Sequence, residues 1–411
     1  MLLDETENHS QTALSENLNK EIKRVEIFLS RSMPAPIDIY IRRLGSAALD
    51  YDGSATAYML ELILKNFHRC RHFSIQDGSP LATEKVIEKI CGGPSPLLSS
   101  IDFGVSEYEE DFILTLPCDA PRLKIAQLDR IEVYPNPHFY SIFQQLVSLR
   151  LINISLDEEN HAPFADALMS MRTLDHLELT SFHEWPSHLP ALAQPTIRFL
   201  HLHILVPENH DAVIESFRAV SVTTLSIDCS YRRCDMDFTL EEPPQVAFPS
   251  LKHLILVNIE MNPLKLDAVA HRFPEIERLT CQGFGPDFGI GRVLAAMGPQ
   301  PIEGNPALAA DVSLHWPKLH TIAVSGSAIA RNIPDPKLNS QVSALQETGI
   351  PIRKLMLPPA LVAHASGDLM ASLRKLVEVE DFRLDWPRPF EHFDEFRGAS
   401  VNFYLCQVNC Q

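Results

Sequence analysis

Along most of the chain, apolar side chains recur in one short frame: apolar, two positions free, apolar, one free, apolar. LVSLRL from Leu146, LDHLEL from Leu174, LKHLIL from Leu251 and IERLTC from Ile276 are the clearest copies. Other copies begin at Cys70, Leu98, Leu123, Ile197, Val222, Leu319, Ile352 and Val379. Most starts lie 23 to 29 residues apart, with longer intervals of 43 and 33 near the end. That is the spacing of a leucine-rich repeat, about 20 to 29 residues. The alternation inside each frame predicts a short strand. The stretches between predict helices: HAPFADALMSM from His161 places Phe164, Leu168 and Met171 at helical spacing, and DAVIESFRAV from Asp211 and PLKLDAVAHRF from Pro263 read the same way.

A second marker keeps the same phase. Pro96, Pro121, Pro195, Pro249, Pro274 and Pro317 each stand two residues before a frame start. Proline neither continues a helix nor donates to a sheet ladder, so it belongs in the turn from helix to strand. Phe248, Phe273 and Trp316 precede three of these prolines, where an aromatic ring plugs the layer between helix and sheet. Strand, turn, helix, turn, repeated, predicts an α/β fold: an irregular leucine-rich-repeat solenoid with a curved parallel sheet on its concave face and helices on its convex face. The Asn ladder of an ideal repeat is mostly missing. Only Asn153 and Asn258 occupy that phase.

The expected organisation has four parts. Residues 1–12 read as a disordered N-terminus. Residues 13–69 form a cap, with an amphipathic helix over 18–32 carrying Ile22, Val25, Ile27 and Leu29, a strand through Ile37, Ile39 and Ile41, and a second helix over 55–67. Residues 70–385 hold the repeats, interrupted by an insertion at about 283–315 with a short helix near Val293 to Met297. Residues 386–411 are a C-terminal tail or cap, hard to assign.

Composition narrows the function classes. The 411 residues carry 53 acidic against 35 basic side chains, a formal charge of −18. That disfavours nucleic acid and anionic membrane surfaces as partners, since both select clustered positive charge. No apolar run approaches the length of a membrane span. The eight cysteines are scattered without a CxxC pair, so they predict reduced thiols rather than a disulfide or zinc scaffold. The acidic, polar start is unlike a secretory signal. The cytoplasm or nucleus is the expected compartment.

Catalytic motifs are missing from the sequence. It has no GxSxG elbow, HExxH, P-loop or kinase set. Gly283, Gly285, Gly289 and Gly291 do not have the spacing of a dinucleotide fingerprint, and the segment reads as a surface loop. No enzymatic activity, cofactor or metal is expected.

The order of segments resembles the large F-box/leucine-rich-repeat families of basidiomycete fungi. EIFLSRSMPAPIDIYI (Glu26 to Ile41) is similar to the segment that follows the F-box there. HRCRHFSI (His68 to Ile75) and FPSLKHLILVNI (Phe248 to Ile259) look like early and middle repeats. The resemblance covers roughly residues 20 to 390. It implies the substrate-binding repeats of a ubiquitin-ligase receptor, whose F-box docks on a Skp adaptor and a cullin. The residues before Glu26 lack the Leu-Pro opening and the room for that three-helix bundle, so adaptor docking is expected only if an F-box is supplied or replaced. The alternative is a stand-alone repeat scaffold with no ubiquitin-ligase role. Either reading expects a protein partner of unknown identity.

The repeat phase also predicts which side chains leave the sheet on its helix-free face, because strand residues alternate. They include His176 and Glu178; Phe199, His201 and His203; Ser226; and His253, Ile255 and Val257. His176, Glu178, Phe199, His201 and His203 fall on adjacent strands and form one patch. Three readings fit it: a solvated face, a metal-ligating His/Glu set, or a partner-binding surface with Phe199, Ile255 and Val257 as exposed apolar anchors. His176, Glu178, Phe199, His201, His203, His253, Ile255 and Val257 are the candidate partner-binding residues. Titration of these histidines near pH 6.5 would make binding pH-dependent. In the same phase Leu254 is buried and Ser226 is exposed.

Overall fold

The computed structural model describes residues 20, 22–42, 55–91, 93–106, 120–131, 143–154, 158–182, 196–204, 213–214, 217, 221–228, 248–258, 263–283, 288–298, 316–326, 337–398 and 407–409. The expected N-terminal disorder, most of the helix from Asp211 and part of the 283–315 insertion lie outside them. The protein is α/β, with parallel strands alternating with helices. It divides into two compact units, Met1–Leu174 with Arg388–Gln411, and Asp175–Pro387.

The first unit contains β1 (Ile37–Arg42), β2 (Cys70–Gly78), β3 (Ser100–Val105), β4 (Ile125–Asp129) and β5 (Ser148–Ile152). Each pairs in parallel with the next. The strand through Ile37 is therefore a member of the parallel sheet. In the helix over residues 22–31, Ile22, Val25 and Leu29 are buried, but Ile27 is 51% exposed. The expected apolar set was too wide: positions 22, 25 and 29 share one helical stripe, and 27 falls off it.

The second unit contains β6 (His176–Phe182), β7 (Phe199–Ile204), β8 (Thr224–Asp228), β9 (His253–Val257), β10 (Arg278–Gly283), β11 (Thr321–Gly326), β12 (Lys354–Leu357) and β13 (Glu378–Asp381). All neighbours pair in parallel and in sequence order. Back in the first unit, β14 (Gln407–Asn409) pairs antiparallel with β1 and covers that edge. An edge strand left open would present unpaired amides.

One register runs through the second unit. His176, Phe199, Thr224, His253, Arg278, Thr321, Lys354 and Glu378 stand side by side. Their successors Leu177, Leu200, Leu225, Leu254, Leu279, Ile322 and Leu355 are fully buried. A slip of one residue would turn this whole row to the other face, so the leucine frame fixes the register. The last frame is the exception. β13 pairs Glu378 with Lys354, so its frame starts at Leu376 and not at Val379.

The leucine face packs on the helices. In the first unit, Leu128, Leu149 and Leu151 meet Phe164, Ala167 and Leu168 of the helix Glu158–Ser170 and Met171 just after it. In the second, the helices Pro263–Arg272, Ile290–Met297, Leu338–Glu347 and Gly367–Leu376 pack in that order, each on the next. Inside the insertion, the short helix Ile290–Met297 buries Val293, Leu294 and Met297.

Turns hold the phase at both strand ends. Before the strands, the amides of Leu98, Leu123, Leu251 and Leu319 donate to the carbonyls of Ser95, Ala120, Phe248 and Trp316 at 3.0–3.3 Å. Pro96, Pro121, Pro249 and Pro317 occupy the second position of these turns, where their fixed φ is preorganised. Phe248, Phe273 and Trp316 are buried, and Trp316 Nε1 donates to the Phe273 carbonyl at 3.0 Å. After the strands, Asp77, Arg130, Asn153 and Asn258 share one phase and all have positive φ, 53° to 57°. Asn153 Nδ2 donates to Asp129 Oδ1 at 2.8 Å and Asn258 Nδ2 to Asp228 Oδ1 at 3.1 Å. The two asparagines tolerate this left-handed conformation and tie each turn to the preceding strand. Among the described residues, no helix is long and apolar enough to cross a membrane.

Candidate functional site

The face opposite the leucines carries the chemistry. In the second unit it holds the sequence-predicted patch, brought together by the pairing of β6 with β7. Register sets His176 beside Phe199, Glu178 beside His201 and Thr180 beside His203. His176 Nε2 and Glu178 Oε1 share a hydrogen bond of 2.7 Å, and both residues are buried. His201 Nδ1 and Ser226 Oγ share another of 2.9 Å. His203 is half-buried, and its Nε2 has no hydrogen-bond partner among the described residues.

This face is covered, against the expectation of exposed anchors. His176 is 2% and Ile255 1% exposed, and Phe199 and Val257 are half-buried. Ser226 is buried as well, against its expected exposure, so a carboxylate introduced there would be costly. The cover over His176 and its neighbours comes from the chain's own segment 382–387. The Phe382 amide donates to the Leu357 carbonyl at 2.7 Å. Arg278 donates to the Asp385 carboxylate and, at 3.0 Å, to the Arg383 carbonyl. Trp386 then lies against the patch. Its ring meets His176 at 5.0 Å, Phe199 at 5.9 Å and His201 at 6.1 Å between centroids, all edge-to-face. Its Nε1 donates to Glu178 Oε1 at 3.3 Å. An aromatic ring with one polar tip suits a site that offers ring edges and a carboxylate.

Beside this segment, Lys252, His253, Arg278, His320, Lys354 and Glu380 line a pocket of about 280 Å³. Its cations are paired: Lys252 with Glu277 at 3.2 Å, and Lys354 with Glu380 at 2.8 Å and Glu378 at 3.3 Å. His253 is buried and shares a 2.8 Å hydrogen bond with Thr280 Oγ1. Burial first, and the Arg278 charge second, push its pKa down to about 3, against a smaller opposing effect of Asp385. His253 thus stays neutral at pH 6.5, contrary to the expectation that it titrates there. Cys281 on the leucine face is fully buried, which pushes its thiol up to about 12 and makes it a poor nucleophile.

The face opposite the leucines in the first unit is different, and sequence reasoning did not single it out. Asp102, 0% exposed, accepts from Ser74 Oγ at 3.0 Å, Gln76 Nε2 at 2.5 Å and Gln127 Nε2 at 2.8 Å. Gln127 Oε1 accepts from Arg150 Nη1 at 2.9 Å. Arg150 forks onto Asp394 at 2.6 and 3.3 Å and lies 4.3 Å from the Phe390 ring centre. Phe390 and Phe393 are buried, so the helix Glu391–Gly398 is docked by aromatic anchors. The signal was present in the tail: Trp386, Phe390 and Phe393 are large aromatics in a polar, proline-containing stretch, WPRPFEHF. Their i, i+4, i+7 spacing is that of a helical stripe, but Pro387 and Pro389 interrupt it, and the helix begins only after Phe390.

The chain matches no protein-family model, and no curated protein matches it in sequence.

Proposed function

We propose that this protein is a non-catalytic protein-recognition module of the leucine-rich-repeat type, akin to the substrate-binding repeats of F-box ubiquitin-ligase receptors. The supporting observation is that the helix-free face of the second unit already holds a peptide segment, with Trp386 on His176, Phe199 and His201. A partner with an aromatic anchor and a flanking acidic residue would use the same groups, Glu178 for a ring N–H and Arg278 for the carboxylate. Aromatic anchors in desolvated pockets carry most of the energy of such contacts.

The test is affinity purification of the full chain and of Phe199→Ala from a fungal lysate, with quantitative mass spectrometry. A protein enriched with the wild type and reduced at least about tenfold with Phe199→Ala supports recognition through this face. Stoichiometric Skp adaptor and cullin in the same eluate favour the ligase role, and their absence favours a stand-alone scaffold. Partners indifferent to Phe199→Ala contradict the proposal.

A further inference from the structure

Among the described residues, Asp38, His72 and His392 bring ligand-type atoms within 4.8 Å of one another. All three belong to the first unit. Asp38 on β1 and His72 on β2 are register partners, so the parallel pairing itself sets them side by side. His392 enters from the helix Glu391–Gly398, whose position Phe390 and Phe393 fix by burial. The two imidazoles lie 4.6 Å apart between centroids, and the carboxylate beside them is almost fully buried.

We propose that Asp38, His72 and His392 form a binding site for a divalent transition-metal ion of the zinc type, which clips the C-terminal helix to β1 and β2. Two imidazoles and a carboxylate suit zinc and cobalt, whereas calcium and magnesium select all-oxygen sets. Three protein ligands leave a fourth position for water. Each imidazole has two nitrogens, one to coordinate and one to be held by an outer partner. Each imidazole has its outer partner: Ser100 Oγ bonds His72 Nδ1, and Tyr40 Oη bonds His392 Nε2. Arg71 orients the carboxylate by a fork, Nε to Oδ1 at 3.2 Å and Nη2 to Oδ2 at 2.8 Å. A carboxylate offers about four acceptor positions, so the fork leaves lone pairs for an ion. Partners of this kind orient ligands in metal sites generally. The His176–Glu178–His201–His203 patch, in which a metal set was weighed from sequence, does not form such a group; its carboxylate is engaged by His176 and Trp386.

The test uses the full chain, stripped with EDTA and exchanged into chelator-free buffer. It is titrated with Zn²⁺ by calorimetry and with Co²⁺ by absorbance. The expected result is one tight equivalent, a cobalt spectrum free of thiolate charge transfer, and a higher melting temperature with zinc. His72→Gln and His392→Gln each weaken binding by about 100-fold or more, Tyr40→Phe by about tenfold, and His364→Gln leaves it unchanged. Far-UV circular dichroism checks folding, and the half-buried His392 decides the matter if His72→Gln does not fold. The absence of saturable binding in the wild type, binding that survives His392→Gln, or a thiolate-type cobalt spectrum overturns the proposal.

Discussion

In the first unit the face opposite the leucines is a hydrogen-bonded polar network centred on Asp102, while in the second it is lined by imidazole and aromatic rings and closed by Trp386. The opposite, leucine-bearing faces are alike: both are apolar, and both pack on helices. The comparison separates two jobs within one repeat. The leucine positions specify register and stability, and repetition makes them alike. The alternate positions are released from that duty and diverge. A buried polar network demands that every member be satisfied, which makes the first face specific and hard to reuse. Ring edges with one carboxylate are more permissive, which is compatible with the proposed exchange of one aromatic segment for another.

Three substitutions sharpen that division. The largest effect is expected from Leu254→Asp, which puts a charge in the fully buried leucine row of the second unit. An uncompensated buried charge costs about 3–5 kcal/mol, enough to abolish the cooperative thermal transition of that unit. Asp102→Ala comes next. It strips three donors of their acceptor in the first unit, with an expected loss of about 2–4 kcal/mol in urea denaturation. A neutral outcome would mean that the polar face is solvated and not a network.

The smallest effect concerns pH. His253 is neutral in the folded chain down to about pH 3, whereas an exposed histidine in the unfolded chain takes up its proton near pH 6.5. The unfolded state therefore binds more protons between these values, and stability falls as pH is lowered from 6.5 towards 3. His253→Gln removes that contribution. The difference in urea midpoint between wild type and variant should shift steadily from pH 7 to pH 4.5, and a constant difference would place His253 in contact with water.

The strands were legible because their signal was redundant. The leucine frame, the proline two residues earlier and the buried aromatic before it all mark one phase, and the register of β6 to β12 follows it. The frame at Val379 misled because Leu376 and Val379 are spaced alike, and only pairing with Lys354 chooses between them. The face residues were legible as a set, but not their burial. Periodicity says which way His176 and Ile255 point, not what lies over them. The cover of the His176 patch is supplied by residues some 200 positions away, with no repeat to betray them. The same holds for His392, whose neighbours on β1 and β2 are distant in sequence and meet it only through the docking of Phe390 and Phe393.

The decisive measurement is binding of a synthetic peptide spanning residues 381–388 to the full chain carrying Trp386→Ala, followed by fluorescence anisotropy. In the wild type the tethered segment competes at a high effective concentration, so the free peptide should bind weakly or not at all. The variant should bind it saturably, and adding Phe199→Ala to the variant should weaken that binding at least about tenfold. A Trp386→Ala chain that keeps its fold yet fails to bind the peptide, or binds it equally well without Phe199, would contradict a peptide-recognising face.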